Sequence, residues 1–131
     1  MEVINVNKSD GEIYSALFNN SLKGEKDCDG IVPYCFHSGE DIVGLAQGCP
    51  TLIHPTTSNF NLANFIKAQL YTCFAAMKIG IDILVNEEGA KIDKMVGHGG
   101  IFTTPVVAQS YLAAAIGAQV DVINTASEGG A

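Results

Sequence analysis

Residues 92–131 decide the fold: Ile92-Asp-Lys-Met-Val96, then Gly97-His98-Gly99-Gly100, a segment from Pro105 to Gly117, Val120-Asp-Val-Ile123, and finally Glu128-Gly129-Gly130-Ala131. Ile92 to Val96 and Val120 to Ile123 are short apolar runs that read as strands, and each leads into a glycine cluster. The segment between them reads as a helix, with Pro105 suited to its first position. Strand, glycine turn, helix, strand, glycine turn is the order in which α/β proteins bring bare backbone close to a nucleotide. Thr103 and Thr104 fall at the helix start, where a hydroxyl caps the helix or bonds a ligand. Two common fingerprints fail. G-x-G-x-x-G begun at Gly97 meets Phe102 at its last glycine, and no G-x-x-x-x-G-K-[ST] occurs. On these residues alone, a tight structural turn and a nucleotide contact both stay open.

Upstream, Ile13, Ala16, Leu17 and Phe18 recur at helical spacing between Asp10 and Leu22, behind a Ser9 or Asp10 cap. Lys23 to Gly30 reads as a turn. Ile31 to Phe36 reads as a strand whose Pro33 implies an edge or bulge. His37 to Glu40 is a turn, Ile42 to Leu45 a short extended piece, and Gln47 to Asn59, with Pro50 and Pro55, a loop. The longest element runs from about Asn61 to Asn86. Leu62, Phe65, Ile66, Leu70, Cys73, Phe74, Met77, Ile81 and Leu84 keep a helical period across it, giving roughly 39 Å. Gly80 interrupts it at about 1 kcal/mol against alanine, so a kink or close contact is expected there.

The 131 residues fit one domain; 47% are hydrophobic and 16% charged, a globular composition. A net charge of -7 with only 7 scattered basic residues argues against nucleic-acid and anionic-membrane partners. No uncharged apolar run reaches the ~18 residues of a membrane span, and the first residues lack a signal peptide's basic and apolar regions. Cys28, Cys35, Cys49 and Cys73 form no C-x-x-C pair and lie in or beside apolar runs, as buried free thiols do. A reducing, cytoplasmic setting is the expectation. His37 and His54 have no readable metal partners, His98 reads as a turn residue, and Glu40 and Asp41 as solvated charges. No metal site is expected.

Gly97-His-Gly-Gly-Ile-Phe-Thr-Thr-Pro-Val-Val-Ala-Gln109, Leu112-Ala-Ala-Ala115, Val120-Asp-Val-Ile123 and Glu128-Gly-Gly-Ala131 resemble the C-terminal domain of the FGGY carbohydrate kinases. Ser38-Gly39-Glu40, Gly44-Leu45 and Asn64-Phe-Ile-Lys-Ala-Gln-Leu-Tyr71 resemble that family's second signature. The spacing between its halves is longer here, and Tyr71 stands where the signature ends in an acidic or amide residue. The resemblance covers about Gly11 to Ala131, with a ribulokinase- and xylulokinase-like flavour. It implies an α/β fold, the C-terminal lobe of the actin-like ATPase (ribonuclease H-like) type. It further implies one partial domain over 1–131, incomplete at both ends.

The resemblance also implies ATP and magnesium as cofactors, and a sugar of the pentose or pentulose type as phosphoryl acceptor, reached through an N-terminal domain. Gly99 and Gly100 are then expected at the phosphates and ribose and Thr104 at the adenine. Gln109 is expected near the nucleotide wall, and Glu128, Gly129 and Gly130 over the adenosine side. The catalytic aspartate expected in a glycine-rich turn has no counterpart: Asp10 begins a helix pattern and receives no such role. This chain is therefore expected to bind and not to turn over. A non-catalytic interaction domain is the alternative, its Phe74-Met77-Ile81 stripe unpaired and a homodimer its expected form. An actin-like or chaperone-like ATPase sharing the lobe is a third reading.

Overall fold

A computed structural model describes residues 7–123. Its elements in chain order are α1 (Asp10–Ser21), β1 (Val32–Tyr34), β2 (Thr51–Ile53), α2 (Leu62–Asn86), β3 (Lys94–Gly97), α3 (Val107–Ile116) and β4 (Gln119–Val122). Short 3-10 turns occupy Cys28–Gly30, Asp41–Val43 and Gly100–Phe102.

α1 starts where its capping chemistry dictates. The Ser9 hydroxyl accepts the Glu12 N–H at 3.3 Å, and the Glu12 carboxylate accepts the Ser9 N–H at 2.9 Å. α2 is capped in the same manner by Asn61, whose side chain accepts the Asn64 N–H at 2.8 Å. β3 and β4 run parallel, with Met95 opposite Val120, and α3 is the crossover between them. Leu70 and Phe74 of α2 pack with Phe102, Val107, Leu112 and Val120 to form the main core. This core joins the long helix to the β3–α3–β4 unit. A smaller cluster of Cys28, Ile31 and Ala68 fixes the α1–β1 turn to α2.

Several local expectations are corrected. Within the stretch expected to be loop, Thr51–Ile53 forms β2 and pairs antiparallel with β1, Pro33 opposite Leu52. Both strands of this two-stranded ladder are edges, which is where proline is tolerated. Ile42 lies in a 3-10 turn closed by left-handed Gly44, not in an extended piece. α3 begins at Val107, two residues later than expected. Val106 takes φ 72° and ψ -39°, and the Val107 N–H bonds the Pro105 carbonyl at 2.9 Å. At Gly80 no close helix contact is seen: α2 runs continuously through it, and a Cβ there would sit at an ordinary 3.5 Å from Ile42 Cδ1 of the Asp41–Val43 turn.

The stripe expected to be unpaired is mostly covered. Phe74 and Ile81 are buried, while Met77 is 41% exposed. Of the four free thiols, Cys28 alone is buried; Cys35 is half-buried and Cys49 and Cys73 are exposed. By length and composition alone α2 could cross a membrane. However, Lys67, Lys78 and Asp82 interrupt it, and its Leu70–Phe74–Ile81 side is buried in this domain.

Candidate nucleotide-facing turn

β3 delivers its last residue, Gly97, directly beneath Phe102. A Cβ on Gly97 would lie 2.8 Å from Cε1 and Cζ of that buried ring, so close packing demands glycine there. Gly99 answers a different constraint. Its φ of 109° and ψ of 169° lie in a region essentially restricted to glycine. The chain then closes a 3-10 turn: the Phe102 N–H donates to the Gly99 carbonyl at 3.0 Å, and the Thr103 N–H and hydroxyl donate to the Gly100 carbonyl at 3.2 and 2.7 Å.

Among the described residues, chain neighbours aside, neither Gly99 nor Gly100 has any atom within 4 Å of the position a Cβ would take. The turn therefore presents bare backbone to open space. Among the described residues, the N–H groups of Gly100 and Ile101 at its start have no backbone acceptor. That leaves donors of the kind an anionic oxygen takes. His98 beside them is exposed.

The other expected residues are distributed differently. Thr104 is buried, at 5% exposure. Gln109 is half-buried and donates Nε2 to the Val120 carbonyl at 2.5 Å, tying α3 to β4. This places Gln109 on the strand face beneath the turn. Glu128, Gly129 and Gly130 lie outside the described residues. Lys94 and Asp121 form an ion pair across β3 and β4. The Lys94 hydrogen bond, then that of Gln119, holds the Asp121 carboxyl below its usual value.

The signature helix has an architectural task that its spacing did not announce. Asn64, fully buried, accepts the Glu25 N–H at 2.7 Å and donates to the Asn59 carbonyl at 2.9 Å. Lys67, 7% exposed, donates to the Gly24 carbonyl at 2.7 Å and lies over the rings of Tyr71 and Tyr111 at 5.9 and 5.8 Å. Tyr111 OH and the Ser21 hydroxyl are 2.9 Å apart. These bonds moor the α1–β1 turn to α2 and α3. Sequence reasoning missed Lys67, because a lone lysine in an apolar helix carries no signal of its cation–π partners.

Two cavities lie away from the glycine turn. One of about 340 Å³ opens between α2 and α3, against Tyr71, Phe74, Lys78 and Tyr111. The other, of about 310 Å³, lies under the β1–β2 hairpin, beside Cys35, Phe65 and Gln69. Neither is lined by Gly99 or Gly100. Among the described residues no three His, Cys, Asp or Glu side chains converge to hold a metal ion.

A family model described as the FGGY family of carbohydrate kinases, C-terminal domain, matches residues 3–131. No curated protein and no solved structure matches the chain.

Proposed function

The chain belongs to the FGGY family of carbohydrate kinases, as C-terminal domain sequence, and from that premise we propose that its Gly99–Gly100 turn is the phosphate-side wall of an ATP site. The family makes the chain part of a sugar kinase and implies the actin-like ATPase type of fold. Its β3–α3–β4 unit is consistent with that fold. The observation that carries the reading is the open space around the two glycines. Among the described residues nothing occupies the volume a side chain would take, yet Gly97, only two residues away, is packed tight.

In this reading Gly99, Gly100 and Ile101 offer backbone to the phosphates and ribose. Thr104, buried just after the turn, supports it, and Gln109 fixes the strand that forms the adjoining wall. Glu128, Gly129 and Gly130 close the adenosine side. ATP supplies the γ-phosphoryl group, and magnesium would neutralise charge on its phosphates. The acceptor is a sugar hydroxyl of the pentose or pentulose type, in the ribulokinase- and xylulokinase-like branch. A general base outside this chain removes its proton. The chain alone therefore binds nucleotide without turning it over.

Calorimetry with ATP and magnesium on the 131-residue chain tests this. Gly100→Asp puts a carboxylate where phosphate would approach, in a site with no described neighbour to clash with. We expect at least tenfold weaker binding with an unchanged melting temperature. Equal affinity in a folded variant, or no binding by a folded parent chain, overturns the reading.

A second reading, self-association, draws on the exposed Met77, Ile83 and Leu84 toward the end of α2. Size-exclusion chromatography with light scattering decides it: a dimer supports it, a monomer at high concentration refutes it.

A further inference from the structure

The four thiols of this chain are not equivalent, and two of them, Cys35 and Cys73, are both placed beside the same stretch of α2 around Gln69. Cys35 Sγ, just beyond β1, donates to Gln69 Oε1 at 2.7 Å. Cys73 lies four residues after Gln69 on α2, so the two share one helix face. The Cβ tilt of a helix leans Cys73 back toward the level of Gln69. The chain from β1 onward follows that face. Thr72 Oγ1 donates to the Pro33 carbonyl at 2.8 Å, and Ile42 Cδ1 sits 3.5 Å from the Cβ position of Gly80, seven residues beyond Cys73. Cys73 is thus bracketed by contacts with the segment that carries Cys35.

The other cysteines are placed elsewhere. Cys28 is sealed against Ile31 and Ala68. The Cys49 N–H bonds the Phe36 carbonyl at 3.0 Å and so continues the β1–β2 register, which turns its side chain to the hairpin face away from Cys35.

We propose that Cys35 and Cys73 are a paired-thiol modification site that closes to an intramolecular disulfide by exchange with a small disulfide of the glutathione type. The exposed Cys73 thiolate attacks one sulfur of glutathione disulfide and expels one glutathione thiolate. The Cys35 thiolate then attacks the Cys73 sulfur of that mixed disulfide and expels the second glutathione. The two thiol protons pass to the two glutathione thiolates. The protein thiols are oxidised by two electrons and one glutathione disulfide is reduced to two thiols. Partial desolvation holds both thiols above the usual value even though Cys73 keeps an exposed edge, and for Cys73 the neighbouring Cys35 adds to it. The exchange is therefore slow at neutral pH, and equilibrium is the quantity to measure. Closure pins the hairpin segment to α2. It is independent of the nucleotide reading.

The 131-residue chain is equilibrated in glutathione buffers of rising oxidised fraction, quenched in acid, alkylated and digested. The expected result is loss of two alkylatable thiols and a cross-linked peptide pair containing Cys35 and Cys73. The melting temperature should rise by about 5 °C or more over the reduced protein. Cys35→Ser and Cys73→Ser should each abolish the cross-link and leave the surviving thiol reduced or glutathionylated, while Cys49→Ser should leave it intact. Separate glutathione adducts on Cys35 and Cys73 without a cross-link, a cross-link through Cys49, or four thiols unchanged in the most oxidising buffer would each overturn the proposal.

Discussion

Replacing Gly97 with alanine should destabilise the domain through one identifiable collision. The added methyl would meet Phe102 Cε1 and Cζ at 2.8 Å and Cδ1 at 3.1 Å. Relaxed carbon–carbon contacts lie near 3.5–4.0 Å, so the overlap is about 0.7–1.2 Å. Phe102 has no easy escape: it is 8% exposed and its ring centre lies 6.1 Å from that of Phe74. Overpacking of this kind costs about 1–3 kcal/mol. At roughly 4 °C per kcal/mol for a chain of this size, that is a fall of about 4–12 °C in melting temperature. Urea denaturation of four proteins, the parent, Gly97→Ala, Phe102→Leu and the double variant, isolates the contact. Leucine lacks the outer ring atoms, so Gly97→Ala should cost at least about 1 kcal/mol less in the Phe102→Leu background. A loss below about 0.5 kcal/mol in the parent, or equal losses in both backgrounds, would refute the packing argument for Gly97.

Val106→Gly should stabilise by about 0.5–1 kcal/mol in the same assay. A β-branched residue at φ 72° is strained, and Val106, at 62% exposure, loses little packing when truncated. Lys67→Met keeps volume but removes the bond to the Gly24 carbonyl and both ring contacts, for a loss of about 1–3 kcal/mol. A neutral or stabilising result would mean that desolvating the ammonium outweighs what it gains. Stability should also fall in alkali. Burial raises the folded-state pKa of Cys28, Cys35, Cys73, Tyr71 and Tyr111. Their contributions are full below the ordinary values of 9.0 for thiols and 10.0 for phenols, and are lost as pH rises through the raised ones. Urea midpoints taken under reductant from pH 8 to 11 should decline beyond about pH 9, with a shallower decline in Tyr111→Phe.

The legible parts of this fold were those written in neighbouring residues. Ser9 with Glu12, and Asn61 ahead of a 25-residue apolar period, mark the helix starts because capping is decided within four residues. β3, α3 and β4 were legible from apolar runs separated by glycine. What failed depended on partners remote in sequence. β2 is three residues long and flanked by Pro50 and Pro55, so it exists only because β1 lies beside it. The Phe74–Met77–Ile81 stripe was read correctly as apolar, but packing decides which members are covered: Phe74 joins Phe102 and α3 in the core, while Met77 stays exposed. Lys67 is the extreme case, with its carbonyl 43 residues away and one of its two rings on α3.

The glycine turn shows how a structure divides a motif that a sequence presents as uniform. In sequence terms Gly99 and Gly100 carry one shared role and Gly97 none, and the physical reason for each is not separated. Gly97 is explained by Phe102, and Gly99 by a backbone angle that side chains avoid. Gly100 is explained by neither: its φ is not in the left-handed region, and a methyl group there would touch nothing among the described residues beyond its chain neighbours. A fold that gains nothing from glycine at a position pays a small entropic penalty for keeping it there. The reason to keep it then lies outside the fold, in something that must approach the backbone closely. Gly100 therefore separates stability from binding more cleanly than Gly97 or Gly99, whose substitution would disturb both.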